Sequence, residues 1–194
     1  MSLPDNPLTL TEEPLPYIEP DNLPSKSLVS HERGGIALND PSQGLDVQNW
    51  RLESDGSMVR LFSEMGSPID LFPDSGIRQL SLSFDQNMRK VVAVEYKSGG
   101  VDLIWYDTLT ALEETLFFSG IRSPVVSLDD KRESQSGTSD VILGYIRNSD
   151  HMLCYRQQRE RFTVEHELIQ LGPRSRLRNL GMATKLRMQF EVQG

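Results

Sequence analysis

The sequence predicts an all-β protein: a propeller-like array of about three four-stranded blades, two complete and one a composite of N- and C-terminal strands, with an extended Pro-rich N-terminal arm. Three observations predict it. The stretch IRQLSLSFD at residues 77–85 returns as IRSPVVSLD at residues 121–129, with Ile, Arg, Ser and the closing Asp identical. The repetition continues through four short segments separated by turn residues. No segment has convincing helical periodicity, and the nearest, TLTALEETL at 108–116, is short and runs straight into FFSG.

The arm comes first, over residues 1–45. Seven of the eleven prolines lie within residues 1–49. Proline at that density blocks helix interiors and sheet ladders and favours extended chain. Residues 1–50 hold eight acidic and two basic side chains, and the segment is poor in aromatics. It therefore cannot bury enough apolar surface to fold alone. Leu8, Leu10, Leu15, Tyr17, Ile18, Leu23 and Leu28 are nevertheless spread along it. The reading favoured over a disordered tail is an arm lying extended on a neighbouring subunit, anchored by Leu15, Tyr17 and Ile18.

From about Asp46 the chain changes character, and residues 46–194 form the propeller-like domain. WRLES, MVRLFS and PIDLF are short alternating or apolar runs, with the hairpin signal Asp55-Gly56 between the first two. They look like the later strands of a unit that lacks its first. In RQLSLSF, Leu80, Leu82 and Phe84 alternate with Ser81 and Ser83, the mark of a half-buried strand. Next, VVAVEY at 91–96 matches VILGYI at 141–146, LIWYD at 103–107 matches LCYRQ at 153–157, and LEETLFFSG at 112–120 matches VEHELIQLG at 164–172. The offset drifts from 44 to 52 residues, with the drift in loops such as KRESQSGTS. A four-stranded unit of that length is what a propeller blade has.

The unit starts a third time. After Gly172, PRSR echoes the IRSP that follows Gly120, and KLRMQFEV then alternates with Leu186, Met188, Phe190 and Val192 on one face. These last strands are expected to complete the N-terminal blade. A blade is apolar on its sheet faces and needs neighbours. About three blades are fewer than the usual four to eight. The chain is therefore expected to form an open arc on a partner, or to join copies of itself in a homo-oligomer.

Few residues carry a chemical signature. Asp85 and Asp129 close SFDQN and SLDDK, where a carboxylate accepts backbone N–H groups and fixes a turn. Too few oxygen ligands lie beside them for calcium. His31, His151 and His166 stand in no metal-binding pattern with Cys154, which reads as a small buried strand residue. No motif singles out a nucleophile, an acid or a phosphate cradle, so neither catalysis nor a cofactor is expected. YRQQRERF is the most unusual local text. Arg156, Arg159 and Arg161, bracketed by Tyr155 and Phe162, form a cluster suited to an acidic partner such as a neighbour's arm. The plainer reading is a charged loop joining two strands.

Charge and hydropathy set outer bounds. The net charge is -8, but residues 51–194 hold 20 acidic and 18 basic side chains. That balance is not built to hold a nucleic-acid backbone over a broad surface. No apolar run approaches the roughly 18 residues that cross a bilayer, so no membrane partner is expected. The N-terminus lacks the pattern of a secretory signal, and a single cysteine fits a reducing compartment.

LSFDQNMRKVVAVEY, VDLIWYD, SLDDKRESQSGTSDVILGYIR, LCYRQQRERFTVEHEL and GMATKLRMQFEV together resemble a group of structural proteins of tailed bacteriophages that carry propeller-like β repeats. The resemblance spans about residues 48–192 and leaves the arm out. It implies a virion component, assembled in the host cytoplasm and docked on other virion tail proteins, in the tail or head–tail attachment region. It supplies no catalytic residues. The alternative is a receptor-binding tail module that takes a host glycan. Glycan sites usually present exposed aromatics, and Trp50 and Trp105 both sit in strand patterns that suggest burial. The structural role is therefore the stronger expectation.

Overall fold

The computed structural model describes residues 9–12, 26–27, 50–62, 66–85, 89–128, 140–182 and 188–194, which are built from β-strands and one 3-10 turn, Gln158–Glu160. The strands are β1 (Thr9–Glu12), β2 (Lys26–Ser27), β3 (Arg51–Ser54), β4 (Met58–Phe62), β5 (Ile69–Pro73), β6 (Ile77–Phe84), β7 (Lys90–Tyr96), β8 (Val101–Asp107), β9 (Leu112–Phe118), β10 (Ile121–Leu128), β11 (Val141–Arg147), β12 (Met152–Gln157), β13 (His166–Gln170), β14 (Arg176–Met182) and β15 (Met188–Gln193). Three sheets have four strands in chain order, β2–β5, β6–β9 and β10–β13. The fourth runs β1-β15-β14. No helix of the described residues is long and apolar enough to cross a membrane.

The two repeated units are thus two whole sheets with the same strand order. Their innermost strands stack in sequence: β2 and β3 touch β6, β6 touches β10, and β10 touches β14. Each interval between sheets holds its own apolar layer. Leu52, Val59 and Leu61 pack with Leu80, Leu82 and Val92. Val91, Ala93, Leu103 and Trp105 meet Val126, Leu143, Tyr145 and Phe162. Val125, Ile142, Ile146 and Leu153 meet Leu177, Leu180, Phe190 and Val192. A stack in which each unit buries only its neighbours is the energetic plan of repeat proteins.

Gly144 lies close against the side chains of β14 and β15. A Cβ on Gly144 of β11 would lie 2.9 Å from a Leu177 methyl and 3.2 Å from a Leu180 methyl. A side chain at position 144 would need those leucine methyls to give way.

Three expectations change. The C-terminal strands do not complete the N-terminal blade. β15 pairs antiparallel with β14 and parallel with β1, while the first strand of the N-terminal sheet is β2, from upstream. The reason is packing: Phe190 and Val192 already have their apolar surface in the layer against β11 and β12. Second, two pieces of the arm, β1 and β2, pair with the chain's own sheets. Third, β6 is not half-buried. Ser81 and Ser83 are as buried as Leu80 and Leu82, because sheets flank the strand on both faces. Ser81 Oγ accepts the Val126 N–H of β10 at 3.0 Å, which makes the polar position a link between blades. The segment 108–116, which lacks helical periodicity, is a turn followed by β9, with Ala111 at φ 57°.

Candidate functional site

The loop from β12 to β13 carries Arg156, Arg159 and Arg161. The 3-10 turn Gln158–Glu160 reverses the chain there, with Arg161 and Phe162 held at φ 52° and 57°. Arg156 donates from Nε to the Tyr145 hydroxyl at 2.8 Å, and from its two terminal nitrogens to the Phe162 and Thr163 carbonyls and to Glu165. Arg159 meets Asp140 through both its backbone N–H and its Nε, each at 2.8 Å. Arg161 pairs with Asp107 and stands 3.7 Å from Glu114. All three guanidinium groups thus engage acceptors of their own chain. Two of them tie the third sheet to the second, since Arg156 also lies 5.1 Å over the Phe118 ring of β9.

The carboxylate beneath this loop is kept ionised. Burial would raise the Glu165 pKa, but hydrogen bonds from Tyr145 and Arg147, with the Arg156 charge, hold it below the usual range. Burial first, and then the Glu165 hydrogen bond, push the Tyr145 phenol up. Burial likewise pushes the Cys154 thiol up to about 12, with the Glu165 charge adding to it, so the thiolate is disfavoured. This is the chemistry of a structural network.

Asp107 is the sharpest point of that network. It is 1 % exposed, while its partner Arg161 keeps 45 % of its side chain in solvent. Its other carboxylate contact is the Leu109 N–H at 2.9 Å. Removing Arg161 strands a buried charge, which costs about 1–3 kcal/mol. We expect Arg161→Ala to destabilise by that amount in chemical denaturation, and a cycle with Asp107→Asn to show positive coupling. Strict additivity of the two variants would show that the pair does not clasp the sheets.

Asp85 lies where a turn residue should. It is buried, its carboxylate accepts the Arg89 N–H at 2.9 Å, and its own N–H donates to the Arg89 carbonyl. Asp129, Leu15, Tyr17 and Ile18 lie outside the described residues. The same turn role falls on Asp55, Asp74 and Asp150, each accepting a backbone N–H two residues on. The Asp55-Gly56 hairpin signal already marked the first of these in the sequence. Trp105 is buried, and Trp50 is half-buried edge-on against Phe84 at 5.5 Å, so Trp105 offers no face to a sugar. Among the described residues no group of His, Cys, Asp and Glu is placed to hold a metal ion.

A second arginine group stands at the start of the innermost strands. β6, β10 and β14 each break register near their first residues, after Ile77, Arg122 and Leu177. An arginine sits at or beside each break: Arg78, Arg122 and Arg178. A bulge re-aims the side chain it carries. Arg78 is 3.5 Å from Glu95, whose other oxygen accepts the Ser123 N–H of the next sheet at 3.1 Å. Burial raises the Glu95 pKa against the opposing pull of Ser123, Arg78 and Arg176. The sequence comparison of PRSR with IRSP pointed at Arg174. The bulge instead aligns Leu177-Arg178 with Ile77-Arg78.

No family model, curated protein or solved structure matches the chain.

Proposed function

We propose that the chain is a structural component of a tailed-phage virion, in the tail or head–tail attachment region, acting through protein–protein assembly. One observation carries the reading beyond the sequence resemblance. β1 and β2, strands of four and two residues from the Pro-rich segment, are added to two different sheets by main-chain pairing. Extended chain that adds to blade edges in this way can add to the edges of another subunit by the same hydrogen bonds. The outer strands β5, β9 and β13 end their sheets and expose Ile69, Phe117 and Ile169, the middle one to 65 %. Strand edges of that kind are templates for pairing. In this reading the arm, with Leu15, Tyr17 and Ile18 as anchors, reaches neighbouring copies or other tail proteins.

Native mass measurement of the full chain, with its location in a density map of the intact particle, tests this. The expected result is a homo-oligomer and tail density that fits the four-sheet row. A chain that is monomeric at every concentration and absent from purified particles would overturn it.

A further inference from the structure

We propose that the bulged ends of β6, β10 and β14 form an oxyanion-binding site, in which Arg122, Arg176 and Arg178 take a carboxylate or phosphate group. The argument starts from connectivity. Arg122 donates to the Pro173 and Ser175 carbonyls at 3.3 and 3.5 Å, which sets it against the turn that leads into Arg176. On its other side follow Ser123, Glu95 and Arg78, joined by the contacts given above. Arginines of three successive inner strands therefore stand along one end of the stack.

Their charge is unbalanced. Arg122 hydrogen-bonds Asn148 at 3.0 Å and lies 3.4 Å from the His151 ring nitrogen, and its remaining partners are the two carbonyls. Arg178 meets the Gln193 side-chain oxygen at 2.7 Å. None of these partners is a carboxylate. The Arg176 side chain has no hydrogen bond or ion pair among the described residues. The carboxylates in electrostatic reach are Glu95, engaged by Arg78 and the Ser123 N–H, and Glu191. Burial and the mutual repulsion of Arg176 with Arg122 and with Arg178 make the charged forms of Arg122 and Arg178 harder to hold. An anion arriving there would relieve both costs. The guanidinium fork matches the two oxygens of a carboxylate or phosphate, and such charge-assisted bonds are about twice as strong as neutral ones.

This site is also where the arginines left over from the sequence repeat end up. The Ile-Arg that opens both full units, and the Leu-Arg of the third, are unexplained by core packing, since the preceding Ile77, Ile121 and Leu177 fill the core and the arginines do not. The inference stands apart from the virion reading and survives if that reading fails.

Titration calorimetry on the full chain, in a buffer free of oxyanions, tests the inference with inorganic pyrophosphate in one arm and a short polyglutamate peptide in the other. Arg176→Gln is the decisive variant, because it removes no side-chain hydrogen bond or ion pair among the described residues. The expected result is saturable binding in at least one arm, weakened about tenfold or more by Arg176→Gln and by Arg122→Gln, with the melting temperature of Arg176→Gln unchanged. Arg176→Lys, which keeps the charge and loses the fork, should recover part of the affinity. Binding of pyrophosphate alone identifies a small free anion as the ligand, and binding of the peptide identifies acidic side chains. Absence of binding in both arms, or binding that Arg176→Gln leaves unchanged, overturns the site.

Discussion

Replacing Trp105 by alanine is expected to cost about 3–5 kcal/mol, the largest effect of any single side chain facing the interval between the second and third sheets. Trp105 is 2 % exposed and meets the Phe162 ring edge-on, with centroids 5.2 Å apart and planes at 84°. Around it stand Leu103, Leu143, Tyr145 and Cys154, all buried. The loss combines apolar surface returned to water with a cavity that β-sheet walls on both sides cannot collapse to fill. The indole N–H sets a contrast. It is buried and has no hydrogen-bond partner among the described residues, so Trp105→Phe keeps an aromatic ring and deletes a donor that finds none there. We therefore expect Trp105→Phe to cost clearly less than Trp105→Ala. Urea denaturation measures both, and equal losses would show that shape rather than ring contact governs the site.

The contrast with Phe162 bears on how much was legible in the sequence. The two repeated units were legible because each strand is bounded by its own turn chemistry and the units share the Ile-Arg start and the aromatic at Trp105 and Tyr155. The fold class and both whole sheets follow from that. The partner of Trp105 does not. Phe162 reads as one end of a charged loop, and it reaches the core only because Arg161 and Phe162 adopt left-handed backbone, a choice that local sequence does not announce. The serines of β6 failed for a related reason. Alternation shows that a strand has two different faces, and it cannot show that a second sheet covers the polar one. The pairing of β15 was misassigned because an alternating strand fits any edge of matching register, and local sequence does not show that Phe190 and Val192 find their layer against Ile142, Ile146 and Leu153.

The arginines divide along the same line. The cluster at 156–161 was visible as composition, but its acceptors come from β11 (Tyr145), β8 (Asp107) and the chain just before β11 (Asp140) and β13 (Glu165). Only the folded chain shows that these charges meet partners at home. The inner-strand arginines were visible as a repeat, and their common placement depended on bulges, which shift register by a residue and leave little trace in the sequence.

Deleting residues 185–194 is expected to have the largest effect of all. The deletion removes β15, the middle strand of the fourth sheet, to which both β14 and β1 are hydrogen-bonded. Phe190 and Val192 are each 1 % exposed, and a fully buried side chain of this kind contributes about 1.5–3 kcal/mol. Their loss also uncovers Leu177 and Leu180 on β14 and the facing Val125, Ile142, Ile146 and Leu153. A loss of several kcal/mol compares with the roughly 5–15 kcal/mol that stabilises a whole domain. For a chain of this size it corresponds to a melting temperature lower by roughly 10–20 °C. Because units in a stack bury only their neighbours, the damage should begin at the β10–β13 sheet. Hydrogen exchange should therefore rise first in β11 and β12, while the layer between β3–β4 and β6–β7 stays protected until the chain unfolds as a whole. Phe190→Ala should shift the melting temperature in the same direction without removing a strand. A truncated chain that melts at the original temperature, with β11 and β12 as slow to exchange as before, would show that β15 is an ornament on the third sheet and that the apolar layer against Gly144 contributes nothing to the fold.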